Sequence, residues 1–222
     1  RALLDWKPPL KIPETRKLPT AVKKKLTVNN GPNLDEVAGR EILKALGIST
    51  TQPVILSGPE AHIPDDLNYP LAVKVISPDL HHKTEAGGVA LGIGNKIELH
   101  KAMKEVCYSA ANYMPEASLL GIMVEPMIDA QAEVLLGFRR DVEAGPIVVL
   151  GMGGILAELY KDFSVRLAPI NKDIASQMID EVKGLSLIKG FRNLPKGDCD
   201  ALANAIASLS SLALDPIVAE AE

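Results

Sequence analysis

The sequence predicts a mixed α/β protein, and three observations carry that prediction. Short runs rich in Val, Ile and Leu, bounded by Pro and Gly, alternate along the chain with stretches of helical periodicity. Hydrophobic residues make up 47% and charged residues 23% of the 222, the balance of an apolar core under a charged surface. Aromatics are only 4%, so that core must be built from Val, Ile, Leu, Ala and Met. At about 100–200 residues per domain, the length allows one large domain or two small ones.

Residues 1–26 stand apart. They carry eight Lys/Arg against two acids, so +6 there and −10 over the remainder, together with four prolines. Proline fixes φ and blocks regular ladders, so this segment is expected to be an extended basic tether. From Asp35, DEVAGREILKALGI sets Val37, Ile42, Leu43 and Leu46 on one side of a helix, with Asn33 or Asp35 as N-cap and Gly47 at its end. Strands are expected at Pro53–Leu56, Leu71–Ser77 and Val89–Ile93. An amphipathic helix follows at Lys96–Tyr113, then strands at Gly121–Met127, Glu133–Phe138, Ile147–Gly151 and Val165–Ile170. Helices near Lys172–Lys183 and Asp198–Leu214 complete the pattern. No internal repeat and no low-complexity tract interrupts it.

Several function classes are excluded or disfavoured by composition. A pI near 5.7 argues against a general nucleic-acid binder, which needs a basic face. No apolar run reaches the ~20 residues that span a membrane, and the N-terminus lacks the apolar stretch of a signal peptide. Cys107 and Cys199 form neither a disulfide framework nor a metal-ligand spacing, as in a reduced cytoplasmic protein. Because the chain opens with Arg1 rather than Met, it is expected to be part of something larger.

The chemistry is concentrated in two stretches. In LAVKVISPDLHHKTEAGGVALGI (71–93), Lys74 sits mid-strand among apolar residues. Burying a lone ammonium is costly unless an anion meets it, so Lys74 is a candidate phosphate ligand, against the alternative of a snorkelling edge lysine. Gly87 and Gly88 let backbone N–H groups approach phosphate oxygens. Adjacent His81 and His82 point apart too readily for a metal pair, and a histidine beside Lys83 and a glycine loop suits a phosphate acceptor better. In the second stretch, from Gly121 to Arg166, Glu125 and Glu133 flank a strand–turn–strand frame. There a base could dock on backbone groups and a carboxylate could hold ribose hydroxyls, although Glu125 could equally be an exposed strand residue. Gly151, Gly153 and Gly154 form a GxGG turn, by itself a weak signal.

These residues resemble one family. VKVISPDLHHKTEAGGVALGI, MIDAQAEVLLGFRRD and GPIVVLGMGGILAELYKDFSVRLAPI are similar to the nucleotide-binding part of the ADP-forming acyl-CoA synthetases, over about residues 35–222. The resemblance implies an ATP-grasp fold, two lobes gripping a nucleotide, with residues 27–128 as the smaller lobe and 129–222 as the larger. It implies the reaction acyl-CoA + ADP + phosphate ⇌ carboxylic acid + CoA + ATP, with phosphate carried on histidine. By position, His82 would be the catalytic carrier, and Lys74 and Lys83 would face phosphates over which Gly87 and Gly88 close. Met123–Met127, including Glu125 and Met127, would be the adenine hinge and Glu133 the ribose ligand. Glu158, Asp162 and Arg166 would lie near the phosphates. ATP/ADP and Mg²⁺ are the implied cofactors. Glu222 aligns with the acidic residue before an Asn-Pro that this chain lacks, so it is the one metal ligand expected here. A last strand is expected to be missing. The CoA-binding and CoA-ligase module, which would take acyl-CoA and the carboxylic acid, is the implied partner, in the same polypeptide or another subunit, with neither nucleic acid nor membrane. Two alternatives compete: a regulatory module like those fused to lysine acetyltransferases, and a carboxylate–amine ligase, which needs no carrier histidine.

Overall fold

The computed structural model describes residues 17–28, 34–80, 82–154 and 161–221. The chain divides into two compact units. One runs from Thr27 to Asp129, and the other gathers the residues before and after it.

In the first unit, strands β1 (Val54–Leu56), β2 (Leu71–Ile76), β3 (Val89–Ile93) and β4 (Gly121–Pro126) form an antiparallel sheet in the order β1-β4-β2-β3. With α1 assigned to Thr20–Val28, helix α2 spans Glu36–Ala45 and α3 spans Lys96–Tyr113. Both of these start where the local chemistry dictates. Asp35 and Asn95 cap them through side-chain oxygens that accept from Ala38 N–H and Glu98 N–H. Strand alternation then sorts the sheet residues. Leu71, Val73 and Val75 of β2 join Ile122 and Val124 of β4 in one core with Leu99, Met103, Val106 and Ala110 of α3. Lys74, Met123 and Glu125 therefore point to the opposite face. Lys74 is the one residue of β2 that is not buried.

In the second unit, β5 (Val134–Asp141), β6 (Gly145–Met152), β7 (Phe163–Leu167) and the two-residue β8 (Glu220–Ala221) form another antiparallel sheet, in the order β7-β6-β5-β8. Helices α4 (Lys172–Glu181) and α5 (Cys199–Ser210) pack together, α4 against β7 and α5 against β5 and β6. Phe138, Val148, Leu150, Met178 and Ile206 are among its deeply buried apolar side chains, with Leu185 from a 3-10 turn. Arg140 secures the chain end. Its guanidinium donates to the carbonyls of Ala213, Asp215 and Val218 at 2.7–3.0 Å, beside the pairing of β8 with β5.

One difference from the sequence reading concerns the N-terminal segment. The basic N-terminal segment is not extended throughout: residues from Thr20 form α1, and Leu18 and Val22 are buried. Pro19 is the last proline before a run of good helix formers. Its fixed φ suits the helix start, and its carbonyl accepts from Val22 N–H. At the other end, Glu220 and Ala221 pair with Arg139 and Phe138. Two residues suffice because Arg140 N–H also donates to the Ala219 carbonyl.

Candidate functional site

Register explains the first cluster. In the β2–β4 pair, Lys74 lies opposite Met123 and Ala72 lies opposite Glu125. Lys74 and Glu125 are thus diagonal neighbours on one face, within reach of long side chains. Lys74 Nζ donates to Glu125 Oε1 at 2.8 Å. The other carboxylate oxygen, Oε2, accepts from Arg40 Nη2 of α2 at 2.8 Å and from the Thr51 hydroxyl at 2.6 Å. Arg40 Nη1 donates to that same hydroxyl at 2.6 Å, closing an Arg40–Thr51–Glu125 ring.

Glu125 is therefore not an exposed strand residue. Its side chain is 8% exposed, whereas that of Lys74 is 27% exposed. Burial by itself pushes the Glu125 carboxyl upward. Hydrogen bonds from Lys74 and Thr51 and the charges of Lys74 and Arg40 outweigh it, so the group titrates below the ordinary carboxylate value. Arg40 and Thr51 escaped the sequence reading. The anion that meets the strand lysine in this structure is supplied by the protein itself.

The histidine segment leaves β2 at Ser77 and returns at Gly88, whose carbonyl accepts from Val75 N–H at 2.9 Å. His82 is exposed at its middle. One helical turn follows, with Ala86 N–H donating to the His82 carbonyl. It ends as helices often do: Gly87 N–H donates to the Thr84 carbonyl and Gly88 N–H to the Lys83 carbonyl, with Gly87 in the left-handed region at φ +64°. A Cβ on Gly87 would stand 2.8 Å from Ser109 Cβ, and one on Gly88 2.8 Å from Val75 Cγ2. The glycine pair is thus explained by a turn stop and by close packing, before any ligand is invoked. Nor are the flanks loose. Ser77 and Leu80 are buried, Asp79 accepts from Ser118 N–H, and Lys83 Nζ stands 3.4 Å from Glu36 Oε1. Among the described residues the second Glu36 oxygen is buried without a hydrogen-bond partner. His81 lies outside the described residues.

The hinge candidates lie in and just after β4. That strand is paired on both sides, with β1 and β2, so its backbone groups are engaged in the sheet. Beyond it, Met127 N–H donates to the Pro70 carbonyl, and Met127 Sδ lies 3.1 Å from Gly92 N.

The remaining candidates belong to the second unit. Glu133 is exposed, and its carbonyl accepts from Gly153 N–H at 2.8 Å. Its carboxylate lies against Gly154, where a Cβ would come within 2.7 Å of Oε2. Asp162 accepts from the N–H groups of Lys183 and Gly184, fixing the 3-10 turn Lys183–Lys189. Arg166 binds Glu181 and the Ser164 hydroxyl, and these partners hold the Glu181 carboxyl below its ordinary range. Glu158 and Glu222 lie outside the described residues. Among the described residues no three Asp, Glu, His or Cys side chains gather as a metal cluster. No helix among the described residues is long and apolar enough to cross a membrane.

Comparison with known proteins gives a consistent result. The model of a family described as ATP-grasp domain matches residues 26–222. The beta subunit of ADP-forming acetate–CoA ligase I of Pyrococcus furiosus is 36% identical over 193 residues, covering 86% of this chain and 83% of that subunit. ADP-forming acetate–CoA ligase I of Archaeoglobus fulgidus is 35% identical over 190 residues. There the match covers 85% of this chain but only 28% of the relative's length. Among solved structures, an acetyl-coenzyme A synthetase of Ca. Korarchaeum cryptofilum, in complex with coenzyme A and Ca-AMPCP, aligns with a TM-score of 0.79 at 29% identity. It covers 90% of this chain and 88% of that one. A structure of the same synthetase with Mg-AMPPCP aligns at TM-score 0.70 and 26% identity, covering 90% and 87% of the two chains. In it a phosphohistidine segment points towards the nucleotide binding site.

Proposed function

The chain belongs to the ATP-grasp domain family, and on that premise we propose that it is the nucleotide-binding, phosphoryl-transferring module of an ADP-forming acyl-CoA synthetase. The whole reaction converts acyl-CoA, ADP and phosphate into a carboxylic acid, CoA and ATP. This module performs the last exchange. A phosphoryl group carried on His82 moves to a terminal oxygen of ADP; the P–N bond breaks as the new P–O bond forms.

Phosphoryl transfer demands little covalent work from a protein beyond positioning and charge neutralisation. An imidazole that is partly neutral near pH 7 is a competent carrier. Lys74 would neutralise phosphate charge, and Lys83 would sit beside the carrier. Glu125 serves as the counter-ion of Lys74 rather than as a nucleotide contact. Met127 would meet the base just beyond the end of β4, with its own N–H already engaged by the Pro70 carbonyl. Glu133 would hold ribose hydroxyls, and Asp162 and Arg166 would shape the phosphate surroundings from their own unit. Glu158 remains a phosphate-side candidate, and Glu222 would join the nucleotide phosphates in holding Mg²⁺, which would offset their negative charge. Residues 1–26 would act as a tether up to α1, and 27–128 and 129–222 as the two lobes.

CoA and the acid would be handled by a separate module or subunit, consistent with a relative that is itself a beta subunit. A reducing, cytoplasmic setting fits the two free cysteines. The relatives named above are ligases, which favours this reading over a regulatory module.

The observation that carries the proposal is Lys74, a partly exposed cation in an otherwise buried strand, two strand residues before the histidine segment and next to Val75, whose N–H donates to the Gly88 carbonyl at that segment's end. Calorimetric titration of ADP with Mg²⁺ tests it. Lys74→Ala should weaken affinity by about tenfold or more, the worth of one charged hydrogen bond. Undiminished affinity would refute the placement.

A further inference from the structure

We infer that Arg40 is a positioning residue that keeps Lys74 available to the nucleotide by holding Glu125 independently of it. The inference rests on the reading that Lys74 meets nucleotide phosphates. It comes from how the two oxygens of one carboxylate are divided. Oε1 accepts from Lys74, and Oε2 accepts from Arg40 and Thr51. The Arg40–Thr51–Glu125 ring is complete without the lysine.

That division decides what happens when an anionic ligand competes for the ammonium. A buried carboxylate left without a cation is strongly unfavourable, so a lysine that was the sole partner of Glu125 would be held back from any phosphate. Here Arg40 stays at 2.8 Å from Oε2 and Thr51 at 2.6 Å, so Glu125 remains paired when Lys74 turns away. The burial is graded to match. The Glu125 side chain is 8% exposed and that of Arg40 is 20% exposed, whereas the ammonium-bearing side chain is the most accessible of the three. Arginine suits this task better than lysine because its planar fork serves Thr51 and Glu125 at once and is always charged. α2 supplies it from a capped helix whose Ile42 and Leu46 are buried, so the guanidinium is presented from a fixed support.

The test is titration of ADP with Mg²⁺ into the intact protein, as wild type, Lys74→Ala, Arg40→Met, Arg40→Lys and the double variant Arg40→Met/Glu125→Gln. Arg40→Met should weaken affinity about tenfold, because Glu125 then retains Lys74. Arg40→Lys should fall between wild type and Arg40→Met, since a cation still faces the carboxylate but the fork that also serves Thr51 is lost. The double variant should regain most of the loss, because a neutral amide no longer captures the ammonium. A merely structural role for Arg40 would not produce that rescue. Wild-type affinity in Arg40→Met alongside a weakened Lys74→Ala would overturn the inference and leave the proposed function standing, as would a loss that persists in the double variant. Unchanged affinity in Lys74→Ala would instead overturn the reading on which it rests.

Discussion

Lys74 is legible as an anomaly in the sequence because a charge amid LAVKVI has no bland place in a buried strand, and the structure resolves the anomaly with Glu125. The carboxylate itself could not be assigned from the sequence: whether a strand residue faces a helix, solvent or a cation depends on register with a strand about 50 residues away. Arg40 and Thr51 were out of reach for the same reason, being 85 and 74 residues from their shared partner. The carboxyl of Glu125 titrates low when folded. Its contribution to stability is therefore complete above the ordinary carboxylate value of about 4.3 and is lost as pH falls through the lower folded value. Glu125→Gln should cost about 1–3 kcal/mol at pH 7 by urea unfolding, the worth of charged hydrogen bonds whose donors can still reach water. The gap to wild type should close as pH is lowered below about 4, within the range of carboxylate titration. A gap of equal size at pH 7 and pH 3 would show that packing, and not charge, is what the glutamate supplies.

At the scale of elements, the helices with local signals were placed closely by sequence. Asp35 and Asn95 announce α2 and α3 through caps that need only three residues of chain. Apart from β3, found at Val89–Ile93 as expected, the strands drifted by a residue or more at one end or both, since pairing partners fix them rather than local chemistry. α1 was hidden by the prolines and charges before it, although Val22 is fully buried. The Gly87–Gly88 pair shows how a glycine motif can have a local structural cause of its own. Its sequence suggested a phosphate cradle, whereas its backbone is the stop of a one-turn helix that orients His82 and Lys83. Gly87→Ala should therefore destabilise the protein by at least about 1–2 kcal/mol, the cost of a left-handed L-residue, with the Ser109 contact adding to it. Gly87→Asn should be the milder change, because asparagine tolerates that conformation. Thermal unfolding of both variants checks this. Equal stability of Gly87→Ala and wild type would mean the turn reforms without the glycine.

For the whole molecule, each unit has its own antiparallel sheet and its own helices, a division no periodicity in the chain reveals. The family motifs did reveal the broader architecture, because they fix chemistry at set spacings and so survive where strand boundaries blur. They also picked out Lys74 and His82 in the first unit and Glu133 in the second as candidates, while the hydrogen bonds that anchor Asp162 and Arg166 could be learned only from the fold. The histidine segment is held by the buried Leu80, by Asp79 and by the Lys83–Glu36 pair, whose lysine side chain is only 13% exposed, so a carrier that moves would have to release these contacts in turn. The central claim is that phosphate rides on His82. It is tested most directly by incubating the intact protein with ATP and Mg²⁺ and mapping acid-labile phosphate by mass spectrometry at neutral pH. The account predicts phosphate on His82, its disappearance in His82→Ala, and its removal when ADP is added. Phosphate that persists in His82→Ala, or none on the wild type under conditions where ATP binds, would contradict it.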